Sequence, residues 1–173
     1  MHIALTGFMG AGKSTVGRRL ARLLELPFAD CDAEIVKAHG PIRDIFASAG
    51  ESAFRDLERQ MLARLISAAP SVIAVGGGAV LDPANRRLLR ARGCIVHLAI
   101  SAEAAHARVV RRTHRPLLGE APTLERVREL LAARAIAYAD NDLSILVDGD
   151  SSSKIAAAIA RWYRGRIGAR ARR

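Results

Sequence analysis

Apolar positions along the chain follow two alternating periods. His2 to Thr6 is a short apolar run with β-branched content. A glycine-rich turn and then STVGRRLARLLEL follow it, in which Val16, Leu20, Leu23 and Leu24 recur at helical spacing. The pattern predicts strand, loop and helix, with Pro27 ending the helix. Phe28 and Ala29 predict a second short strand that stops at the acidic Asp30-Cys31-Asp32. Ile42 to Ala49 and Glu51 to Ala68 then predict two helices separated by Gly50, the second carrying Phe54, Leu57, Met61 and Leu65 on its apolar stripe.

Val72 to Val75 is a fully apolar strand that runs into Gly76-Gly77-Gly78, and Asp82-Pro83 supplies an N-cap with proline at the first helical position. Cys94 to Ile100 predicts a fourth strand, Ala102 to Val110 a helix, and Leu143 to Val147 a fifth strand ahead of a last helix from near Ser151. Strands alternating with helices place the chain in the α/β class with a parallel sheet. The segment 111–122, RRTHRPLLGEAP, has two prolines and no clean period, and is the candidate mobile segment. No internal repeat interrupts the pattern.

At 173 residues, half of them hydrophobic, the chain fits one domain, expected over residues 1–163 with a basic C-terminal tail at 164–173. Only 4% of residues are aromatic, which argues against an aromatic-rich binding surface. The net charge of +10 owes six arginines to residues 161–173, where no acid balances them, so the remainder carries only +4. Such a tail is expected to be solvated and frayed, and no nucleic-acid role is assigned to it. Cys31 and Cys94 lie 63 residues apart outside any C-x-x-C or Cys/His cluster, which suggests neither a zinc site nor a disulfide framework. No charged leader precedes an apolar run and no stretch reaches the roughly 18 apolar residues of a membrane span, so a cytoplasmic protein without membrane partners is expected.

The first chemistry-bearing motif is Gly7-Phe8-Met9-Gly10-Ala11-Gly12-Lys13-Ser14-Thr15, which satisfies G-x-x-x-x-G-K-[ST] between a predicted strand and a predicted helix. Glycines let consecutive backbone N–H groups turn toward phosphates, and the helix start adds its positive end. Lys13 reaches the β/γ oxygens, and the Ser14 hydroxyl is placed to ligate Mg²⁺. The candidate nucleotide-binding residues are therefore Gly10, Ala11, Gly12, Lys13, Ser14 and Thr15.

The second substrate must be sought at the carboxyl ends of the other strands, where open parallel sheets bind ligands. Asp30 and Asp32 share a side if the backbone is extended, one serving Mg²⁺ and the other a substrate hydroxyl; alternatively they are a helix N-cap and a first-turn acid. Arg55 lies along one helix face between Glu51 and Glu58. This is either a surface ion pair or a guanidinium oriented to grip a carboxylate. Gly76-Gly77-Gly78 offers a ligand bare backbone, or is only a tight strand-to-helix turn.

GFMGAGKST, DCD, IFASAGESAFRDLE, GGG and RPLL occur in the order and approximate spacing of shikimate kinase, and the chain resembles that family over residues 3 to about 138. The resemblance implies a three-layer P-loop kinase fold with a five-stranded parallel sheet of order 2-3-1-4-5 and a mobile lid at about 111–122. It implies ATP-dependent phosphorylation of the shikimate 3-hydroxyl on the route to chorismate. Carried over position by position, Lys13 and Ser14 resemble the phosphate and Mg²⁺ residues. Asp30 resembles the acid that supports Mg²⁺, and Asp32 the one that holds the substrate hydroxyls and serves as base or orienter. Arg55 and Arg134 would grip the shikimate carboxylate, Gly77 and Gly78 would contact it through backbone, and Arg115 of RPLL would swing onto the phosphates. On the residues alone, Arg115 fits a solvated loop and Arg134 a helix surface equally well. The chain departs from the family in placing Asp142 where the pattern has alanine, and residues 148–154 assign no adenine contact. The expected partners are ATP and shikimate, acting on a monomer.

Two other readings remain at this point. One is a related small-metabolite kinase such as gluconate kinase, which lacks the pairing of FRxxE with GGG and RPLL. The other is a nucleotide-switched binding module whose basic tail engages nucleic acid.

Overall fold

The computed structural model describes residues 1–110 and 123–170. Its centre is a five-stranded, wholly parallel sheet in the order β2-β3-β1-β4-β5. The strands are β1 (His2–Thr6), β2 (Phe28–Asp30), β3 (Val72–Ala74), β4 (Gly93–Ala99) and β5 (Leu143–Leu146). Helices cross between them: α1 (Lys13–Leu24), α2 (Cys31–His39), α3 (Ile42–Ser67), α4 (Pro83–Arg92), α5 (Ala102–Val109), α6 (Leu124–Ala139) and α7 (Ser152–Arg170). This is the three-layer P-loop kinase fold, with the expected strand order. β1 and β3 are buried at every position, and β4 at most of them, as strands covered by helices on both faces must be.

Three local expectations are corrected. First, Cys31–His39 is a helix, because Asp30 caps it by accepting the Ala33 N–H at 3.3 Å. Asp30 and Asp32 therefore do not share the side of an extended strand; they are an N-cap and a first-turn acid. Second, Leu23 stands 45% exposed, while the buried face of α1 is Val16, Gly17, Leu20 and Ala21. The small residues Gly17 and Ala21 allow close approach, which rotates the packed face away from Leu23. Third, the segment from residue 164 continues α7 through Arg170 instead of fraying. Arg164 donates to Leu23 O at 2.6 Å, and Arg166 pairs with Asp142 at 2.9 Å.

Gly50 separates two helices as expected: at φ 80° and ψ 177° its backbone is non-helical, so the span labelled α3 is two helices meeting at a kink. Both halves join α2 in a small cluster of their own, built on Cys31 and Ile35 of α2, Ile45 of the first half, and Phe54 and Met61 of the second. The main core fills both faces of the sheet, from Ile3 and Leu5 outward to Ile95, Leu98 and Ile159. The expected lid at 111–122, with Arg115, lies outside the described residues.

Candidate active site

The carboxyl ends of β1, β2 and β3 open into a cleft of about 350 Å³ lined by Gly10, Gly12, Lys13, Ser14, Thr15, Asp30, Asp32 and Arg108, among others. Residues from the ends of β1, β2 and β3 meet there because parallel strands all deliver their chain to the same edge, and Arg108 of α5 joins them.

The phosphate loop joins β1 to α1. Ala11 is buried beneath it, and the Ala11 N–H closes the turn on Phe8 O at 3.1 Å. The Lys13 ammonium donates back to Gly7 O at 2.8 Å and Phe8 O at 3.3 Å, so the cation stands inside the loop. Beside it, the Ser14 hydroxyl donates to Asp30 Oδ2 at 2.5 Å. These are two hard oxygen donors at a helix start. Among the described residues no cluster of three or more His, Cys, Asp or Glu forms a protein cage for a metal. A pair of oxygens facing a phosphate loop is the donor set that suits Mg²⁺, which keeps most of its waters and takes its remaining ligands from phosphates. The residues present fit the ion.

Against the loop, Gly76-Gly77-Gly78 lies between two arginines from different helices. On α3, Arg55 holds Glu51 at 2.9 Å and Glu58 at 2.8 Å. Burial opposes its charge, yet Glu58 and Glu51 hold the guanidinium above its ordinary pKa. Glu58 itself is 1% exposed, and burial pushes its carboxyl upward against the pull of Arg55. Its Oε2 meets Arg55, whereas its Oε1 is buried against Gly76 without a hydrogen bond. This arrangement is more than an exposed ion pair, because only one of the two acids is at the surface.

On α6, Arg134 is buried rather than on the helix surface. Its guanidinium sits 5.4 Å over the Phe8 ring and donates to Gly77 O at 3.4 Å. A Cβ added at Gly78 would come within 2.5 Å of Arg55, and one at Gly76 would collide with Glu58. Gly76 and Gly78 are thus needed for close approach of these side chains to the backbone, beyond their role in a turn.

Of three further residues of the site, Arg108 and His97 carry no family motif in the sequence, and Tyr138 keeps the family's spacing after Arg134 without an assigned role. Arg108 donates to Gly10 O at 3.0 Å and Val147 O at 3.3 Å, tying the phosphate loop to the chain after β5. Tyr138 donates to Gly77 O at 2.7 Å, and His97 stacks on Tyr138 with ring centroids 4.7 Å apart. Burial and the nearby Lys13 charge push the His97 pKa down to about 4. The position of His97 at the carboxyl end of β4 is the one signal that pointed to it.

Asp142, at the family's alanine position, is structural. Its carboxylate accepts the Ile95 N–H at 2.8 Å and Arg166 at 2.9 Å, joining β4, β5 and α7 at a point distant from the cleft.

Known proteins agree with this geometry. The family model described as shikimate kinase matches residues 9–164. A shikimate kinase of Geobacter sulfurreducens is 44% identical over 164 residues, covering 94% of this chain and 91% of the relative. Among solved structures, a shikimate kinase from Acinetobacter baumannii in complex with shikimate superposes with a TM-score of 0.91 at 36% identity, over 95% of this chain and 93% of that one. A shikimate kinase from Aquifex aeolicus superposes with a TM-score of 0.84 at 31% identity, over 96% and 98% of the two chains.

Proposed function

This chain belongs to the shikimate kinase family and transfers the ATP γ-phosphate to the 3-hydroxyl of shikimate in aromatic amino acid biosynthesis; on that premise we propose the following division of labour in the cleft. Gly10, Ala11, Gly12, Lys13, Ser14 and Thr15 hold the ATP phosphates. Ser14 and Asp30 hold Mg²⁺, which when bound neutralises charge on the β- and γ-phosphates. Asp32 accepts a hydrogen bond from the attacking hydroxyl, orienting its oxygen in line with the γ-phosphorus and receiving the proton. Lys13 neutralises charge on the transferred group, and Arg115 of the lid segment joins it there.

Arg55 and Arg134, with Gly77 and Gly78, take the shikimate carboxylate. The observation that carries this assignment is the convergence of two guanidiniums from α3 and α6 on one glycine loop packed against the phosphate loop. A guanidinium presents a planar fork to a carboxylate, and two of them fix its direction as well as its position. Positioning the acceptor is most of what phosphoryl transfer asks of a protein.

Both cysteines are free and buried, which fits a reducing cytoplasm; among the described residues no helix is long and apolar enough to cross a membrane. Relatives 44% identical across the chain leave no ground for the gluconate reading. The internal pairing of Arg164 and Arg166 accounts for part of the basic segment without nucleic acid.

The test is ADP release in a coupled assay with shikimate or gluconate as acceptor, repeated for Lys13→Ala and Arg134→Ala. Turnover is expected with shikimate only, to be lost in Lys13→Ala, and to need far more shikimate in Arg134→Ala. An Arg134→Ala enzyme with an unchanged shikimate KM would remove that residue from the carboxylate site.

A further inference from the structure

His97 belongs to none of the groups assigned above, yet it touches both halves of the site. It pairs in register with Thr6, the last residue of β1 before the phosphate loop, and its Nδ1 lies 3.5 Å from Thr6 Oγ1. On its other side the imidazole stacks on Tyr138 at an interplanar angle of 27°. The Tyr138 hydroxyl in turn donates to Gly77 O at 2.7 Å, and Arg134 donates to the same oxygen at 3.4 Å. A carbonyl has two lone pairs, and these two donors occupy both.

The next link follows from the peptide bond. The Gly77 carbonyl and the Gly78 N–H belong to one planar trans unit, so they point in opposite directions. Fixing the carbonyl with Tyr138 fixes the amide that the acceptor meets. The Tyr138 ring is anchored by its stack on His97, and His97 is anchored on β1. Burial, with the Lys13 charge second to it, keeps the imidazole neutral at working pH, so no second cation competes with Lys13 for phosphate.

We propose that His97 is a positioning residue for the acceptor: its ring, held between β1 and Tyr138, keeps the Tyr138 hydroxyl on Gly77 O and thereby aims Gly78 N–H at the shikimate carboxylate. The proposal rests on the assignment of Arg134, Gly77 and Gly78 to that carboxylate. Its distinguishing property is that the needed feature of His97 is a flat ring and not an ionisable group.

Steady-state kinetics with each substrate varied tests it. His97→Ala is expected to raise the shikimate KM about tenfold, the order of one well-made hydrogen bond, with kcat and the ATP KM within about twofold of the parent. His97→Phe, which keeps the stack, restores the shikimate KM. Tyr138→Phe raises it by itself, and His97→Ala added to Tyr138→Phe raises it no further, because both act through one hydroxyl. His97→Leu fills the same space without a ring and must show the same rise, which guards against a folding defect in the alanine variant. Additive losses, failure of His97→Phe to rescue, or an equal loss toward ATP would overturn the proposal. An Arg134→Ala enzyme with normal shikimate KM would instead overturn the acceptor assignment, whereas a raised KM there beside normal His97→Ala and His97→Leu enzymes would overturn the role of His97 alone.

Discussion

The tightest contact in the acceptor site gives the sharpest prediction. At Gly78 the backbone is φ −103°, ψ −11°, a conformation that alanine accepts without strain, so Gly78→Ala should fold. Its methyl carbon, however, would stand 2.5 Å from one terminal nitrogen of Arg55 and 2.6 Å from the other. Ordinary contact between such atoms begins near 3.5 Å, so the guanidinium must retreat by about 1 Å. It cannot do so freely, because Glu58 and Glu51 grip it at 2.8 and 2.9 Å. Either those charge-assisted bonds stretch or the fork leaves the position that meets a carboxylate. A misplacement of this size in a binding clamp costs on the order of 10²-fold. We therefore expect the shikimate KM of Gly78→Ala to rise by about 30- to 100-fold while the ATP KM stays within about twofold, since Lys13 and its loop are untouched. The assay is coupled ADP release over a grid of both substrates, with thermal unfolding as the control on folding. A folded Gly78→Ala enzyme with parental shikimate KM would refute the reasoning, because it would mean that the Arg55 position does not matter to the acceptor.

Arg55→Lys should raise the shikimate KM by at least about tenfold and leave ATP binding unchanged, because lysine keeps the charge and loses the fork; isothermal titration of each ligand separates the two. His97 should steepen the acid limb of stability: its folded pKa is about 4, below the unfolded value of 6.5, so protons bind the unfolded chain first and stability falls as pH drops from about 6.5 toward 4. Urea midpoints measured across that window should fall less for His97→Phe than for the parent. Asp142→Ala should destabilise the fold by about 1–3 kcal/mol, through loss of the Ile95 cap and the Arg166 pair, with kcat unaltered; differential scanning calorimetry and kinetics on the same preparation check both halves.

Much of this architecture was legible in the chain because strong local signals agreed with the global fold. Val72 to Val75 ran apolar into three glycines, and Asp82-Pro83 announced α4; both hold in the structure. The helix at Cys31–His39 was hidden because its few apolar residues pack into the small α2–α3 cluster rather than on a long stripe, leaving the Asp30 cap as the only cue. The fate of residues 164–170 was hidden for a different reason: an arginine run looks solvated until Asp142 and Leu23 O, distant in sequence, are found beside it. In the site, the phosphate-loop residues follow from their spacing, whereas the roles expected of Arg55, Arg115 and Arg134 came from the family resemblance. The burial of Glu58 and Arg134, and the stack of His97 on Tyr138, depend on how α3, α6 and β4 meet, which no local pattern encodes.

The inward hold of Lys13 on Gly7 O and Phe8 O bears on which anions the enzyme admits. With two of the ammonium's three N–H groups given to those carbonyls, the loop is not a bare positive trap. An anion that takes either of these N–H groups displaces a carbonyl, so binding there is an exchange rather than an addition. A lone phosphate or chloride that reaches only the ammonium gains a charge-assisted contact at the cost of a carbonyl bond, and nothing more. A triphosphate that spans the loop recovers the displaced bonds from several backbone N–H groups at once. Selection for the nucleotide over the small anions that outnumber it in a cell thus begins in a contact the protein makes with itself.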